Sequence, residues 1–307
     1  MSLSRSERLS LVGLLREISP PGLTVEIPQI APDLAPLVGL PLPRRPRAIL
    51  FDVYGTLLVS AAGGEPTEPG TQTTDAGVRA WILLEQELLK VGYRGSATTF
   101  SEALSRVMVA KRKQLMETST FPEVEIDHLV EGLLSHPTAA QARRVAVLHE
   151  ASQNPCAPMP GAVELLSRLR ALHFQFGVVS NGQFYTPLLV DALFGEEWTQ
   201  LGFQPSLSVF SYEQGRAKPD PTIFAGPLER LVALGIAPGE TLFVGNSSRN
   251  DVAPAKKLGL LTALFAGDVR SYRPPATDSE SDRPDTIVTS FAQLEPLVGL
   301  GNGLGTG

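Results

Sequence analysis

Polar residues of four kinds stand at the ends of short apolar runs, or in the loop that follows one. Asp52 ends the first run (RAILFDVYGTLL) and Ser180 ends the second (FGVVSNG), whereas Lys218 follows SLSVFSYEQGRA. The loop 246–251 (NSSRND) follows LFVG. Such a spread over four segments is what a site assembled at one edge of a sheet requires. Ligands of an open parallel sheet bind at the carboxyl ends of its strands, so this placement predicts one shared site.

Each position taken singly also has a structural interpretation. Asp52 can cap a turn in which Gly55 has a positive φ, and Ser180-Asn181-Gly182 is a plausible turn. Asp220-Pro221 looks like a helix start, which would make Lys218 a solvated neighbour. The order and placement of all four positions favour the functional interpretation.

The elements that must position these residues alternate along the chain. Apolar runs at 48–51, 176–179, 241–245 and 262–266 have strand length, and helical patterns at 161–172, 221–234 and 250–258 separate the later ones. This alternation predicts an α/β fold, a Rossmann-like three-layer core built on a parallel sheet. Residues 66–151 are helix-like nearly throughout, which predicts an all-helical cap inserted into a core of 47–65 and 152–298.

The two ends of the chain have different compositions. Residues 1–46 combine a short amphipathic helix, up to about residue 18, with a proline-rich arm, and 299–307 form a glycine-rich tail that we expect to be flexible.

Composition excludes several classes of protein. The 307 residues are 43% hydrophobic and 19% charged, and the net charge of −6 argues against a nucleic-acid binder. No apolar stretch is long enough for a membrane span and no secretory signal is visible, so a cytoplasmic location is expected. The lone Cys156 excludes an internal disulfide, and the four histidines lack metal-ligand spacing. The oligomeric state is not readable.

The motifs together resemble those of the haloacid dehalogenase superfamily. Its signature is a D-x-x-G-T loop, then Ser or Thr, then Lys, then an acidic loop, and here these are Asp52 to Thr56, Ser180, Lys218 and 246–251. The resemblance covers about 47 to 290, with a cap between the first two motifs.

The resemblance implies a role for each matching residue. Asp52 is then the nucleophile that forms a covalent intermediate, Lys218 neutralises charge beside it, and Ser180 donates to the anionic group of the substrate. Asp251 holds a metal or positions water and Lys218. The expected catalytic residues are Asp52, Tyr54, Thr56, Ser180, Asn181, Lys218 and Asp251. The expected Mg²⁺ ligands are Asp52, the Tyr54 carbonyl, Asn246 and Asp251.

Two departures bear on the subtype. Phosphatases of the superfamily usually have an acidic residue two positions after the nucleophile, whereas this chain has Tyr54, as in the D-x-Y-G-T-L wording of 2-haloacid dehalogenases. Against a dehalogenase, Phe224 replaces an expected tyrosine, and the cap arginines Arg79, Arg106 and Arg112 lack diagnostic spacing. Asn246 replaces the first acid of a phosphatase-like G-D-S-x-x-N-D, which should weaken Mg²⁺ binding.

The sequence therefore predicts a Mg²⁺-dependent phosphohydrolase acting on a small anionic substrate with a good leaving group. A metal-independent 2-haloacid dehalogenase is the alternative. A third alternative is a non-catalytic metabolite-binding or interaction protein that kept the fold. The retention of Asp52, Ser180 and Lys218 argues against it.

Overall fold

The structure, a computed structural model, describes residues 3–63, 74–276 and 282–300. None of the helices in these ranges combines the length and apolar character needed to cross a membrane. The expected cap boundary near residue 66 and the tail residues 301–307 lie outside the described ranges.

Eight strands are present in the described residues. In chain order they are β1 (Ala48–Phe51), β2 (Leu58–Ser60), β3 (Cys156–Pro158), β4 (Gln175–Ser180), β5 (Val209–Phe210), β6 (Thr241–Gly245), β7 (Leu261–Phe265) and β8 (Thr286–Val288).

Six of these strands form one parallel sheet in the order β5-β4-β1-β6-β7-β8. The apolar runs predicted as strands are all present, each within one residue of its expected bounds. The residues of β1, β6 and β7 are buried throughout because helices cover both faces, which confirms the Rossmann-like core. The chain leaves β1 toward β4 on one side and returns to β6 on the other, so the strand order reverses at β1.

Eleven α-helices accompany the sheet within the described residues. They are α1 (Arg5–Ile18), α2 (Asp75–Lys90), α3 (Ala97–Leu115), α4 (Ile126–Leu133), α5 (Ala139–Gln153), α6 (Ala162–Ala171), α7 (Thr186–Phe194), α8 (Ser211–Gln214), α9 (Ala225–Ala233), α10 (Ala253–Lys257) and α11 (Phe291–Leu297).

Helices α2 to α5 form an insert between β2 and β3. These two strands pair antiparallel, so both connections to the insert leave from one small hairpin. Side chains such as Leu84, Phe100, Val130 and Leu148 are fully buried, which gives the insert an apolar interior.

The proline-rich segment runs along the edge of the sheet. Gly39 donates its N–H to the Ile287 carbonyl of β8 at 2.8 Å, and Leu34 is buried beside this strand. Prolines suit an edge because they cannot donate to an interior ladder. At the other end of the chain, Leu300 is buried and its carbonyl accepts a hydrogen bond from Arg168 at 2.7 Å.

Candidate active site

Asp52 lies at the carboxyl end of the central strand β1, where its backbone turns sharply. Gly55 has a φ of +77°, and a Cβ built there would lie 2.6 Å from Cβ of Ser271 and 2.7 Å from Nδ2 of Asn246. Only glycine fits this turn, for reasons of both conformation and space. The positive φ considered for Gly55 in the sequence is confirmed, and the turn places the Asp52 carboxylate at the end of the sheet.

Lys218 joins two carboxylates that come from different strands. Its Nζ lies 2.8 Å from Oδ1 of Asp52 and 2.6 Å from Oδ1 of Asp251, and it sits over the Phe243 ring at 5.3 Å from the centroid. Burial lowers the pKa of Lys218, but the attraction of Asp251 and Asp52 outweighs it and the net pKa is raised. Lys218 is therefore a permanent cation in a cluster whose net charge is −1 when both carboxylates are ionised.

Asp251 is held by a helical turn that follows β6. The turn is a π-helical segment over 248–252, and Asp251 Oδ2 accepts the Ser247 N–H at 2.9 Å. A Cβ on Gly245 would come within 2.4 Å of the carboxyl carbon of Asp251, so the residue types at both positions are coupled. Burial raises the pKa of Asp251 to about 6, although the Lys218 ammonium opposes this shift.

Asn181 fixes the backbone of Lys218. Its Nδ2 donates to the Lys218 carbonyl at 3.0 Å, and its Oδ1 accepts the Lys218 N–H at 2.7 Å. The preceding Ser180 is fully buried, and its Oγ makes no hydrogen bond to any described residue. A buried hydroxyl without a partner is costly, so this oxygen is a polar group that the fold leaves unsatisfied beside Asn181.

Tyr54 and Thr56 flank the turn in different environments. The Tyr54 hydroxyl is 3.1 Å from Oγ1 of Thr186, and burial, with Glu150 nearby, raises its pKa well above the usual value. The phenol therefore stays protonated at neutral pH. Thr56 is fully buried and donates a long 3.4 Å hydrogen bond to Oδ1 of Asn246, and it does not line the cavity.

Three oxygen atoms near this turn could hold a small hard cation. The second carboxylate oxygen of Asp52 and the Tyr54 carbonyl accept no hydrogen bond from the described residues, and Asn246 Oδ1 accepts only the long one from Thr56. Both oxygens of Asp251 are already bonded. Hard oxygen donors fit Mg²⁺, but only one of these three carries a full negative charge.

A cavity of about 840 Å³ opens beside these residues. Of the expected site residues it is lined by Asp52, Tyr54, Asn181, Lys218, Asn246 and Asp251. Ser180 and Thr56 do not line it.

The insert contributes the opposite wall, and its loop is anchored to the core. The Glu123 N–H donates to the Gly215 carbonyl at 3.0 Å, and the Ala217 N–H donates to the Phe121 carbonyl at 2.9 Å, directly before Lys218. The loop between α3 and α4 is thus tied to the segment that carries the lysine.

Gln183 ties the same loop to the segment that carries Ser180 and Asn181. Its Nε2 donates to the Val124 carbonyl at 2.8 Å and its Oε1 accepts the Ile126 N–H at 3.1 Å. No spacing in the sequence pointed to Gln183, because its partners lie almost sixty residues earlier.

Further side chains from the insert and the core also line the cavity. Glu150 of α5 accepts hydrogen bonds from the Tyr185 hydroxyl at 2.9 Å and from Asn154 at 3.1 Å, and burial raises its pKa. Phe184 and Tyr185 are both buried, and only Tyr185 lines the cavity. Of the three cap arginines considered, Arg112 alone lines it.

Within the described residues, one group of potential metal ligands lies next to this cavity without lining it. Glu125, Asp127 and His128 come close together, but none of them lines the cavity, and Asp127 accepts a hydrogen bond from Arg143 at 3.2 Å. An exposed acidic group of this kind is common without a metal.

A comparison with protein families finds one match that covers most of the chain. Residues 46–259 match the family described as haloacid dehalogenase-like hydrolase.

Two curated relatives have named activities. The chain is 29% identical over 144 residues to the glyceraldehyde 3-phosphate phosphatase of Methanocaldococcus jannaschii, covering 46% of this chain and 56% of that protein. It is 32% identical over 143 residues to the pyrimidine 5'-nucleotidase YjjG of Escherichia coli, covering 47% of this chain and 57% of that protein. The match thus spans little more than half the length of these relatives.

Among solved structures, a 2-haloacid dehalogenase from Pseudomonas syringae pv. tomato DC3000 has a similar fold. Its TM-score is 0.53 at 19% sequence identity, and the match covers 82% of this chain and 97% of that one. At this identity the likeness shows the shared fold alone.

Proposed function

The chain belongs to the haloacid dehalogenase-like hydrolases, and from that premise we propose that it is a Mg²⁺-dependent phosphohydrolase of small phosphorylated metabolites. The observation that carries the proposal is the buried cluster in which Lys218 bridges Asp52 and Asp251 at the floor of the cavity. The names of the two curated relatives, both phosphate-ester hydrolases, favour this reaction over dehalogenation.

Asp52 acts as the nucleophile. One oxygen of its carboxylate attacks phosphorus, an oxygen–phosphorus bond forms, and the bond to the leaving oxygen breaks with its electron pair. Water then hydrolyses the aspartyl phosphate, which releases phosphate and restores Asp52.

Lys218 stabilises charge during both steps, and Asn181 holds the lysine in place. The Lys218 ammonium attracts the phosphoryl oxygens beside Asp52. Asn181 acts on Lys218 rather than on the substrate, since both polar atoms of its amide bind the lysine backbone.

Mg²⁺ would be held by Asp52, the Tyr54 carbonyl and Asn246, and it would supply further positive charge beside the phosphoryl group. The helical insert serves as a cap, because its anchored loop lines the cavity together with Asp52 and reduces the access of bulk water.

The test is a turnover screen with acyl phosphates, aryl and alkyl phosphates and 2-chloro acids, each with and without Mg²⁺. We expect phosphate release that requires Mg²⁺ and is abolished in Asp52→Asn. That variant keeps the Lys218–Asp251 pair, so its melting temperature should stay close to that of the parent. A fully active Asp52→Asn protein would refute the nucleophile assignment.

A metal-independent 2-haloacid dehalogenase is the second candidate, and one observation favours it. Tyr54 offers no carboxylic proton, and its hydroxyl is engaged with Thr186, which suits a halide leaving group that needs no proton. Halide release from a 2-chloro acid without Mg²⁺, together with no phosphate release, would select this reaction.

A further inference from the structure

We propose that the substrate carries a second anionic group, a carboxylate or a phosphate, and that Arg112 of the cap binds it. This inference rests on the proposed phosphohydrolase function, since it assumes that the phosphoryl group lies at Asp52. The proposal identifies the part of the substrate that the insert recognises.

Arg112 is the cation that the insert presents to the cavity. It lies in the last turn of α3, one helical turn after Met108, and both residues line the cavity. The neighbouring cations Arg106, Lys111 and Lys113 lie on the same helix but do not line it. The basic cations of α3 therefore divide into Arg112, whose side chain is 49% exposed and lines the cavity, and residues that do not line it.

A buried carboxylate holds Arg112 in place. Arg112 Nη2 donates to Oε1 of Glu123 at 3.4 Å, and the Glu123 side chain is 7% exposed. Glu123 is itself fixed by the Val124 N–H at 2.9 Å and by the Ser211 hydroxyl of the core at 2.8 Å. A guanidinium has five N–H donors, so one bond to Glu123 leaves a preorganised fork.

The other cations of the cavity are less suited to this task. Lys218 is occupied by Asp52 and Asp251, and Arg273 donates to the carbonyls of Arg270 and Gly63, each at 2.7–2.8 Å. Arg249 lies on the loop of Asp251, and its exposed side chain forms no hydrogen bond or ion pair with the described residues. Arg249 is thus the rival site that an experiment must separate from Arg112.

The size of the cavity agrees with a substrate that has two anchored ends. About 840 Å³ is within the range of pockets that enclose small molecules, and much more than a phosphoryl group fills. Paired oxygens of a carboxylate or phosphate match a guanidinium fork, whereas a neutral hydroxyl accepts only one such bond.

The experiment compares two ligands that differ only in this group. Binding of 3-phosphoglycerate and of glycerol 3-phosphate is measured by calorimetry without Mg²⁺, so that no ester is hydrolysed during the titration. A third ligand, 1,3-propanediol bisphosphate, carries a phosphate as the second anionic group. We expect the parent to bind 3-phosphoglycerate, the bisphosphate or both roughly 10- to 100-fold more tightly than glycerol 3-phosphate, the range of a charge-assisted hydrogen-bonded pair.

The tighter binding of ligands with a second anionic group should disappear in Arg112→Ala. It should be partly kept in Arg112→Lys, which retains the positive charge without the planar guanidinium. Lys113→Ala is the matched control, because it removes the same charge from the same helix outside the cavity. Arg112→Ala should remain folded, since Glu123 keeps its Val124 and Ser211 donors. Melting temperatures check this point.

A preference that survives in Arg112→Ala, or that is lost in Arg249→Ala instead, would overturn the assignment. Equal affinity of the parent for all three ligands would also overturn it. Failure of the phosphohydrolase proposal has a different signature: no phosphate would be released from p-nitrophenyl phosphate, whatever the pattern of binding.

Discussion

Two single residues set how this site departs from the usual phosphohydrolase pattern. Tyr54 stands where a general acid is expected, and Asn246 stands where a charged metal ligand is expected. Both lie within the cavity beside Asp52, so each substitution acts directly on the reacting groups.

Restoring the acid tests the role of Tyr54. If the protein is a phosphohydrolase, Tyr54→Asp should raise hydrolysis of alkyl phosphates by up to about 10²-fold, because proton donation matters most for a basic leaving alkoxide. Hydrolysis of aryl phosphates should change far less. Steady-state rates for one alkyl and one aryl phosphate measure the difference.

Tyr54→Asn is the control for shape, since both substitutions remove the bond to Thr186 and open similar space. Equal gains in the Asp and Asn variants would mean that the enlarged cavity, and not acid catalysis, explains the effect.

Restoring the carboxylate at Asn246 tests the metal site. Asn246→Asp should bind Mg²⁺ about tenfold more tightly, because the added negative charge faces the cation directly. Calorimetric titration of both proteins measures the change. Asn250→Asp places the same charge on the same loop and should have little effect. No Mg²⁺ binding to the parent or to Asn246→Asp would count in favour of the dehalogenase reaction.

At the scale of elements, His149 links α5 to α3 inside the insert. His149 of α5 lies 2.9 Å from the Ser101 hydroxyl of α3, and the ring of Phe100 meets it edge to face. Burial lowers the pKa of His149 from 6.5 to about 4, so the imidazole is neutral in the folded protein at pH 7.

This histidine should make the stability of the protein depend on pH. Between about pH 4 and 6.5 the unfolded chain holds a proton on His149 that the folded chain does not. The contribution of His149 to the free energy of unfolding is therefore complete above pH 6.5. It is lost as the pH falls toward 4, and the loss is about 3 kcal/mol at most. Urea denaturation at pH 7.5 and 5 should show a smaller loss for His149→Gln than for the parent. The exposed His128→Gln should match the parent, and a loss equal in all three proteins would contradict the assignment.

At the scale of the whole molecule, α1 joins the core to the insert. Arg8 of α1 forms an ion pair with Asp191 of α7, whereas the adjacent Glu7 pairs with Arg143 of α5 at 3.0 Å. The apolar face of the helix, including Leu11 and Leu15, is buried. Neighbouring residues of one helix thus bind two parts of the protein that are far apart along the chain.

Removing the pair with the core should lower the stability of the whole chain. In Arg8→Ala the Asp191 carboxylate, whose side chain is 2% exposed, retains the Trp198 N–H at 2.7 Å and loses its cation. Because Arg8 is partly exposed, we expect a loss of about 2 kcal/mol in the free energy of unfolding, below the range for a fully buried pair. Urea denaturation measures this loss.

Arg5→Ala, on the same helix, should cost little stability, because Arg5 is exposed and has no ion pair with the described residues. Equal losses in both variants would show that the effect comes from the helix and not from the pair.

The sequence by itself determined the order of the motifs and the sheet that carries them. Apolar runs precede Asp52, Ser180 and the loop 246–251. Because parallel strands with both faces covered are apolar throughout, these strands could be recognised without a structure. The turn at Gly55 was equally readable, since a positive φ favours glycine.

Only the tertiary structure decided how the motif residues contact one another and which residues outside the motifs join them. Asn181 forms hydrogen bonds with the backbone of Lys218, 37 positions later in the chain. Among the three candidate cap arginines, Arg112 alone lines the cavity. It donates to Glu123, which in turn accepts a hydrogen bond from Ser211 of the core. Periodicity predicts which face of a helix is apolar, but it does not fix how an inserted helix is rotated relative to a distant sheet. That rotation depends on side-chain packing and on backbone pairing between segments about a hundred residues apart, such as the bonds of Phe121 and Glu123 to the segment before Lys218.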